Sequence, residues 1–163
     1  MLRKPRADEG AGVHALSEAC PPLDVNSVYN YLLLCEHFAE TCVVGEKAGE
    51  VVAFTSGYLR PAHPNVLFIW QVAVGDAARG RGIAKKLLKE ILARDACRSV
   101  DTLETTVTPS NNPSRALFHS LARDLDAPVE ETVLFPGKLF GAEEHEDENL
   151  IRIGPFANHS KGV

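Results

Sequence analysis

The most informative stretch of this sequence reads Gln71-Val-Ala-Val-Gly-Asp-Ala-Ala-Arg-Gly-Arg-Gly-Ile-Ala-Lys-Lys-Leu-Leu88. An apolar run leads into a turn rich in glycine, and the turn opens a helix whose apolar residues recur along one face. At such a junction several main-chain N–H groups point outward at the positive end of the helix, where they form a site for phosphate groups. Glycine omits the Cβ atoms that would block the close approach of a pyrophosphate, and Arg79 and Arg81 can add charge-assisted hydrogen bonds. The stretch therefore predicts a phosphate-binding loop between a strand and a helix.

Two familiar phosphate loops fail here on a required residue. A P-loop needs Gly-x-x-x-x-Gly-Lys followed by Ser or Thr; Gly75 and Gly80 have that spacing, but the Lys and the hydroxyl residue are missing. A dinucleotide loop needs Gly-x-Gly-x-x-Gly; Gly80 and Gly82 fit, but Lys85 stands where the third glycine belongs. A turn that caps its helix and binds nothing is the remaining structural alternative.

The pattern that the loop does satisfy is Arg79-x-x-Gly82-x-Ala84. It resembles the acyl-CoA loop of the GNAT family of N-acetyltransferases, and Asn111-x-x-Ser114-x-x-Leu117-Phe118 is similar to that family's later helix motif. The resemblance implies that acetyl-CoA is the co-substrate and that main-chain groups at Val72 and Val74 bind its pantetheine arm. The other CoA-binding residues that it implies are Arg79, Gly80, Arg81, Gly82, Ile83 and Ala84 in the loop, and Asn111, Ser114 and Phe118 in the later motif.

Phe118 departs from the family pattern. Many GNAT enzymes carry a Tyr at this position, which is thought to protonate the departing CoA thiolate, and a Phe has no proton to donate. The proton donor is left open among Tyr29, Tyr31, His119 and solvent, and departure of the thiolate without a proton is a further alternative. The departure also leaves a second class of function open, a catalytically silent module that binds acetyl-CoA.

Hydrophobic periodicity and turn residues on both sides of the loop predict an α+β sandwich, in which helices flank a central mixed, mostly antiparallel sheet. The GNAT resemblance implies the same fold. Residues 1–154 are expected to form a single domain and residues 155–163 a flexible tail. Helices are predicted over about 8–20 with Asp8 as N-cap, over 25–38 with Tyr29, Leu32, Leu33 and Phe38 on the apolar side, from 83 onward, and after Ser110. Strands are predicted over 2–4, 42–45, 50–59, 66–74, 102–108, 132–135 and 150–153.

Composition excludes several classes of protein. The 163 residues carry 22 Asp and Glu against 17 Lys and Arg, a net charge of −5, and this acidic balance argues against nucleic acid as a partner. A hydrophobic content of 45% with 24% charged residues, and no long apolar run, argues against disordered and membrane-spanning classes. The five acids of segment 143–148 equal the net charge. Because the chain shows no signal peptide and its four cysteines lack metal-ligand spacing, we expect a cytoplasmic protein with no metal.

Further segments carry a narrower resemblance, to the diaminobutyrate acetyltransferase family, over about residues 2 to 154. That resemblance implies a homodimeric enzyme that acetylates the γ-amine of L-2,4-diaminobutyrate in ectoine biosynthesis, by direct attack of the amine on acetyl-CoA. A polyamine, an aminoglycoside or a protein N-terminus is the rival substrate. The segments are Leu2-Arg3-Lys4-Pro5, Cys20-Pro21-Pro22-Leu23-Asp24-x-Asn26-Ser27-x-Tyr29-x-Tyr31, Ile69-Trp70-Gln71-Val72-Ala73-Val74, Leu103-Glu104-Thr105-Thr106-Val107-Thr108-Pro109 and His145-x-x-Glu148-x-Leu150-x-Arg152-Ile153.

The reaction needs a base, because an alkyl ammonium has a pKa of about 10.4 and its deprotonation at neutral pH costs roughly 4–5 kcal/mol. The candidate catalytic residues are Glu104, Glu148 and Trp70. Glu104 lies inside a β-branched strand and is either a base or substrate anchor, or a residue that faces solvent. Glu148 directly precedes the last strand and is expected to turn toward the substrate. Trp70 lies mid-strand and forms either a wall of the amine pocket or part of the core.

The candidate substrate-binding residues add Asp24, Tyr29 and His145 to Trp70 and Glu148. Asp24 either binds an ammonium group or caps the helix that follows it. Tyr29 either points into the same pocket or packs in the core. His145 either orients the substrate or is exposed within the acidic segment 143–148, most of which is expected to be a solvated loop.

Overall fold

The computed structural model describes residues 1–142 and 144–158. Their strands form one sheet in the order β1-β2-β3-β4-β5-β7-β6, where β4 and β5 run parallel and all other neighbours antiparallel. This arrangement confirms the predicted mixed, mostly antiparallel sheet. The strands are β1 (Leu2–Arg3), β2 (Val43–Lys47), β3 (Glu50–Arg60), β4 (His63–Val74), β5 (Thr102–Val107), β6 (Val129–Phe135) and β7 (Glu148–Ile153), and the helices are α1 (Gly10–Glu18), α2 (Val28–His37), α3 (Ile83–Leu92) and α4 (Asn112–Asp124).

The helices cover the two faces of the sheet in pairs. Helices α3 and α4 pack over one core, which contains Leu67, Ile69 and Leu103 from the middle strands. Helices α1 and α2 pack over a second core with Phe54 and Ala73. This three-layer arrangement confirms the predicted α+β sandwich. No helix in the described ranges is long and apolar enough to cross a membrane.

Helix α3 begins at the residue that the glycine loop predicts. Its buried residues Leu87, Leu88, Ile91 and Leu92 form one apolar stripe against the sheet. Gly82 is its N-cap and has a φ of +68°, a left-handed conformation that costs a residue with a Cβ about 1–2 kcal/mol. The loop therefore needs glycine at this position for its own backbone geometry.

Helix α2 differs from its prediction in its start and in its buried face. It begins at Val28, after Ser27, whose hydroxyl accepts a hydrogen bond from the N–H of Asn30 at 3.2 Å. The buried residues are Tyr31, Leu34 and Cys35, whereas the predicted apolar residues Tyr29, Leu32 and Phe38 are exposed. Tyr31, Leu34 and Cys35 have the spacing i, i+3, i+4 and form the face that α1 and the sheet cover. Tyr29, Leu32 and Leu33 have the same spacing, so the sequence alone did not distinguish the two faces.

The first helix also begins later than predicted. Residues Ala7–Glu9 form a 3₁₀ turn before α1, and Asp8 lies inside it instead of capping a helix. The carboxylate of Glu9 accepts a hydrogen bond from the N–H of Arg6 at 2.7 Å and binds the guanidinium of Arg3. This contact with Arg3 holds the pKa of Glu9 below its ordinary value. The turn thus ties the N-terminal strand to the start of α1.

The predicted boundary at residue 154 is too early for the described part of the tail. Phe156 is 6% exposed and packs into the core beneath α3 and α4, and its N–H donates to the carbonyl of Asp101 at 2.8 Å. The side-chain amide of Asn158 donates to the carbonyl of Cys97 at 2.7 Å. Residues 155–158 therefore belong to the domain, and residues 159–163 of the predicted tail lie outside the described ranges.

Strand β4 changes its pairing at Trp70. Its parallel pairing with β5 ends at Ile69 and Thr105, and its pairing with β3 passes from Ile69 to Gln71 and skips Trp70. Side chains bond the carbonyls on either side: Thr105 Oγ1 donates to Ile69 O at 3.0 Å and Thr55 Oγ1 donates to Gln71 O at 2.8 Å. Because a bulge bends its strand, β4 separates from β5 beyond Ile69, and the separation opens the centre of the sheet.

Candidate active site

A groove of about 460 Å³ lies where β4 separates from β5, between the end of β4 and the first turns of α3 and α4. The segment between α1 and α2 closes its other side through Cys20–Leu23. The structure brings most of the predicted CoA-binding residues together here. Those that line the groove are Val72, Val74, Arg79, Ala84, Asn111 and Ser114.

The N-terminus of α3 presents free hydrogen-bond donors beside this groove. The first main-chain bond of the helix runs from Lys86 N–H to Gly82 O at 3.2 Å. The N–H groups of Ile83, Ala84 and Lys85 therefore have no acceptor among the described residues. Three free N–H groups at the positive end of a helix are suited to an anion such as a pyrophosphate.

The rest of the glycine loop surrounds that site without lining the groove. Gly80 and Gly82 have φ values of +73° and +68°, and no atom lies within 4 Å of the Cβ that either would carry as another residue. The side chains of Arg81 and Ile83 contribute to a separate cavity of about 200 Å³ beside Met1 and Leu2. The space in front of the two glycines is therefore open to a ligand.

Phe118 does not reach the groove, contrary to the prediction that it contacts CoA. It is 3% exposed and packs in the core with Leu121 and Ala122. The period of α4 explains the difference, since Ser114 and Leu117 face the groove while the residues at 118, 121 and 122 face the sheet. A Phe at this position serves the packing of α4.

A second cavity, of about 560 Å³, adjoins the groove. The two share Pro22, Leu23, Asn111 and Pro113 in their walls, so they form one continuous depression. The second cavity has Trp70, Gln71 and Thr106 along its sheet side. Its described lining residues include no lysine or arginine but four acids, which favour a cationic ligand: Asp24, Glu144, Glu146 and Glu148.

Asp24 and Trp70 lie on neighbouring walls of this acidic cavity. Asp24 does not cap α2, because Ser27 does so, and its carboxylate makes no ion pair or hydrogen bond with the described residues. Its main-chain carbonyl accepts a hydrogen bond from Gln71 Nε2 at 2.7 Å. Trp70 is 43% exposed, so its indole forms a wall of the cavity and is not a core residue.

The described part of the acidic segment lines the same cavity as Asp24. The ring of His145 stacks on Phe140 with centroids 3.8 Å apart. Glu146 accepts hydrogen bonds from the Ser110 N–H at 3.2 Å and from the Ser110 hydroxyl at 2.5 Å. Asp147 accepts one from the N–H of Gly137 at 2.7 Å. Glu144 and Glu146 are nevertheless exposed, as expected for a solvated segment, whereas Asp147 is half-buried, and residue 143 lies outside the described ranges.

Glu148 and Glu104 stand in opposite electrostatic surroundings. Glu148 lines the acidic cavity and makes no ion pair with the described residues. Glu104 is 3% exposed, and its two oxygens bind Arg152 at 2.5 Å and Arg60 at 3.0 Å. The alternative that Glu104 faces solvent is therefore wrong. Since a guanidinium already bonds each oxygen of Glu104, Glu148 is the carboxylate of the two that is open to a ligand.

Tyr29 does not join the other predicted substrate-binding residues. Its side chain is 69% exposed on the outer face of α2, and it belongs neither to the groove nor to the acidic cavity. The buried tyrosine of α2 is Tyr31, which is 0% exposed and packs edge-on against Phe54. Tyr29 thus lies neither in the pocket nor in the core, the two positions that were predicted for it.

The cysteines of this chain are free and buried. Burial raises the pKa of Cys35 and of Cys97 to about 11, and that of Cys42 to about 12, so each is held as a neutral thiol at pH 7. Such thiols do not form an acyl-enzyme. Within the described ranges no cluster of three or more His, Cys, Asp or Glu side chains is arranged to hold a metal ion.

Comparison with known proteins identifies the family. Residues 11–122 match the model of the acetyltransferase (GNAT) family. The chain belongs to the GNAT acetyltransferases. This confirms the family that the two motifs predict.

Several relatives match this GNAT chain over nearly its whole length, and they share the name of one particular acetyltransferase. It is 51% identical to the L-2,4-diaminobutyric acid acetyltransferase of Bordetella parapertussis, over 96% of this chain and 85% of that protein. It is 48% identical to the enzyme of the same name from Methylotuvimicrobium alcaliphilum, over 95% of this chain and 90% of that protein. The solved structure of Paenibacillus lautus diaminobutyrate acetyltransferase EctA, bound to L-2,4-diaminobutyric acid and coenzyme A, matches it with a TM-score of 0.92 and 41% identity, over 96% of this chain and 95% of that one.

Three residues of the site escaped the sequence analysis. Gln71 lies in the apolar run that became β4, and its polarity within that run was the one feature of the sequence that could have indicated a role in the site. Ser110 was noted as the start of a helix, and Glu146 as one acid among several. Their contacts with Asp24 and with each other join segments that lie 47 and 36 residues apart, which no local pattern reveals.

Proposed function

We propose that this protein transfers the acetyl group of acetyl-CoA to the γ-amino group of L-2,4-diaminobutyrate. The observation that carries the proposal is the continuity of two unlike cavities at the opening of the sheet. One ends at free N–H groups that suit a pyrophosphate, and the other is walled by carboxylates that suit a diamine. The names and bound ligands of the relatives support the same pair of substrates.

The acidic cavity provides for both amino groups of such a substrate. Asp24 and Glu148, which lie on different walls and lack counter-ions among the described residues, divide the work. Glu148 takes the proton of the γ-ammonium, directly or through a water. Asp24 retains the other amino group as a cation by a charge-assisted hydrogen bond. Trp70 forms the wall between them and limits the access of water.

The acetyl transfer then proceeds by direct attack. The γ-nitrogen forms a bond to the thioester carbonyl carbon, the C–S bond breaks, and CoA leaves as the thiolate, while the remaining extra proton of the nitrogen passes through solvent to the thiolate sulfur. Main-chain N–H groups of β4 near Val72, where the strand has left β5, stabilise the charge that develops on the carbonyl oxygen. Phe118 takes no part, since it lies in the core.

A comparison of substrates tests the proposed function. Steady-state kcat/KM is measured with acetyl-CoA and, in turn, L-2,4-diaminobutyrate, ornithine, lysine and spermidine, and NMR of the product locates the new amide. Diaminobutyrate acetylated at the γ-nitrogen should give the highest kcat/KM. A higher value for another amine would overturn the substrate, and calorimetric binding of acetyl-CoA without turnover of any amine would favour the silent module.

We further propose that the enzyme is a cytoplasmic homodimer of ectoine biosynthesis, as the family resemblance implies. Strand β6 is the last of the sheet, and it and the following turn expose apolar side chains that edge strands of monomers usually avoid. A second copy of this chain would cover them. The exposed residues are Val133, Leu134, Phe135, Leu139 and Phe140. Light scattering should give twice the chain mass, with Leu139→Asp shifting it toward one; a wild-type monomer at micromolar concentration would refute the dimer.

A further inference from the structure

Gln71 connects the sheet to the loop that carries Asp24. It directly follows Trp70 in β4, at the point where β4 leaves β5, and it lines the acidic cavity although it is 5% exposed. Its Nε2 donates to the main-chain carbonyl of Asp24 at 2.7 Å. Because a carbonyl accepts and never donates, this contact determines which way the amide of Gln71 is turned.

The loop between α1 and α2 has few other attachments near Asp24. The N–H of Leu23 bonds Cys20 within the same loop at 3.1 Å, and the N–H of Asn26 reaches the hydroxyl of Tyr31 at 3.4 Å. The contact from Gln71 is shorter than either, and it joins the loop to β4, as does the longer contact from Cys20 Sγ to the carbonyl of Val74 at 3.5 Å. The bond from Gln71 therefore holds the main chain of Asp24 against β4, and the carboxylate extends from that fixed point.

The other end of the Gln71 amide makes no contact with the described residues. Gln71 Oε1 is buried and has no hydrogen-bond partner among them. The bond to Asp24 is therefore the one hydrogen bond that this side chain makes with the described part of the protein. An apolar residue of similar volume at this position would remove that bond and little else.

We propose that Gln71 is a positioning residue for the acetyl-transfer reaction, which holds Asp24 at the correct distance from the reacting amine. The inference rests on the proposed function, in which Asp24 binds the amino group that is not acetylated. Without the bond from Gln71 the loop still carries the Asp24 carboxylate, but it is no longer held at a fixed distance from β4. Substrate binding and alignment then weaken, while the acetyl-CoA groove is unaffected.

The test compares Gln71→Met with Ser56→Ala. Met has a similar volume and cannot donate to Asp24. Ser56 is buried and lies opposite Gln71 on the neighbouring strand β3. Its Oγ likewise lacks a partner among the described residues, so Ser56→Ala alters the sheet beside Gln71 without the loss of a hydrogen bond. For Gln71→Met we expect an unchanged or higher melting temperature, a KM for diaminobutyrate raised about ten-fold, and a KM for acetyl-CoA within about two-fold of wild type. Ser56→Ala should leave both KM values near wild type.

A double-mutant cycle separates positioning from a structural role. Once Asp24→Asn has removed the carboxylate, its position no longer matters, so adding Gln71→Met should lower kcat/KM by less than about two-fold further. Additive losses, equal rises in both KM values, or kinetics of Gln71→Met like those of Ser56→Ala would overturn the inference. If Gln71→Met does not fold, Gln71→Asn, whose shorter side chain cannot reach Asp24, is read by the same criteria. A wild-type enzyme inactive on diaminobutyrate would instead refute the proposed function.

Discussion

The candidate carboxylates of the site differ in whether cationic side chains lie beside them. Glu104 is bonded by Arg60 and Arg152 and is buried, whereas Asp24 and Glu148 have no counter-ion among the described residues and line a cavity. A carboxylate whose two oxygens each bond a guanidinium group has little capacity left to bind another cation. The local surroundings, more than the residue type, therefore separate an organising anion from the two that can act on a diamine.

Glu148→Gln tests proton acceptance at this scale. The amide keeps the shape of the side chain but cannot take a proton from the substrate ammonium, so kcat/KM for diaminobutyrate should fall by about 100-fold or more. Glu144→Gln is the matched control, since Glu144 lines the same cavity and is exposed. Equal losses in the two variants would mean that the segment acts through its total charge, and would remove Glu148 from the catalytic residues.

Gly82→Ala tests the phosphate site at the start of α3. A Cβ at φ +68° strains the backbone by about 1–2 kcal/mol, and it also enters the open space expected to hold the pyrophosphate. Gly49→Ala is the control, because Gly49 has a φ of +83°, equally open surroundings and a place in the β2–β3 turn. Both variants should lose similar stability in urea unfolding, but the KM for acetyl-CoA should rise only in Gly82→Ala. An unchanged acetyl-CoA affinity in that variant would contradict the assignment of the loop.

At the scale of elements, the segment between β6 and β7 is attached to the start of α4. Glu146 bonds the N–H and the hydroxyl of Ser110, and Asn111, next in the chain, caps α4 through its side chain and lines both cavities. The wall that carries His145 and Glu148 is thereby joined to the element that borders the acetyl-CoA groove. The two proposed substrate sites therefore border a single junction of loops.

Ser110→Ala tests this attachment. Loss of the hydroxyl bond to Glu146 should raise the KM for diaminobutyrate about two- to five-fold, the net effect of one hydrogen bond between exposed groups. Ser110→Thr keeps the hydroxyl and should restore the wild-type KM. A rise confined to the KM for acetyl-CoA, or no rescue by threonine, would show that the contact does not organise the acidic wall.

At the scale of the whole molecule, the chain end contributes to the core under α3 and α4. Phe156 is buried there, next to the strands that open to form the site. Phe156→Ala should lower the free energy of unfolding by about 3–5 kcal/mol, measured by urea denaturation. Phe38→Ala, at a position that is 42% exposed, should cost much less. Equal losses would mean that residues 155–158 do not belong to the domain.

The sequence predicted those parts of the fold and site that depend on neighbouring residues. The apolar stripe of α3, the glycine at its N-cap and the motif that opens α4 are local patterns, and the structure has them where they were expected. The buried face of α2 was predicted wrongly, because two helical faces were apolar and α1 covers only one of them. Phe118 was assigned to CoA from its place in a motif, but the direction of its side chain depends on how α4 lies on the sheet.

The order of residues was thus sufficient for the family, for the glycine loop at the start of α3 and for the acids from which the proposed site is built. Packing in three dimensions separated the roles of those acids: it buried Glu104 between two arginines and left Asp24 and Glu148 facing one cavity. It also joined Gln71 to Asp24 and Ser110 to Glu146 across long stretches of chain. The physical reason is that helix, turn and loop signals act over a few residues, whereas charge pairing and burial depend on which distant segments the sheet brings into contact.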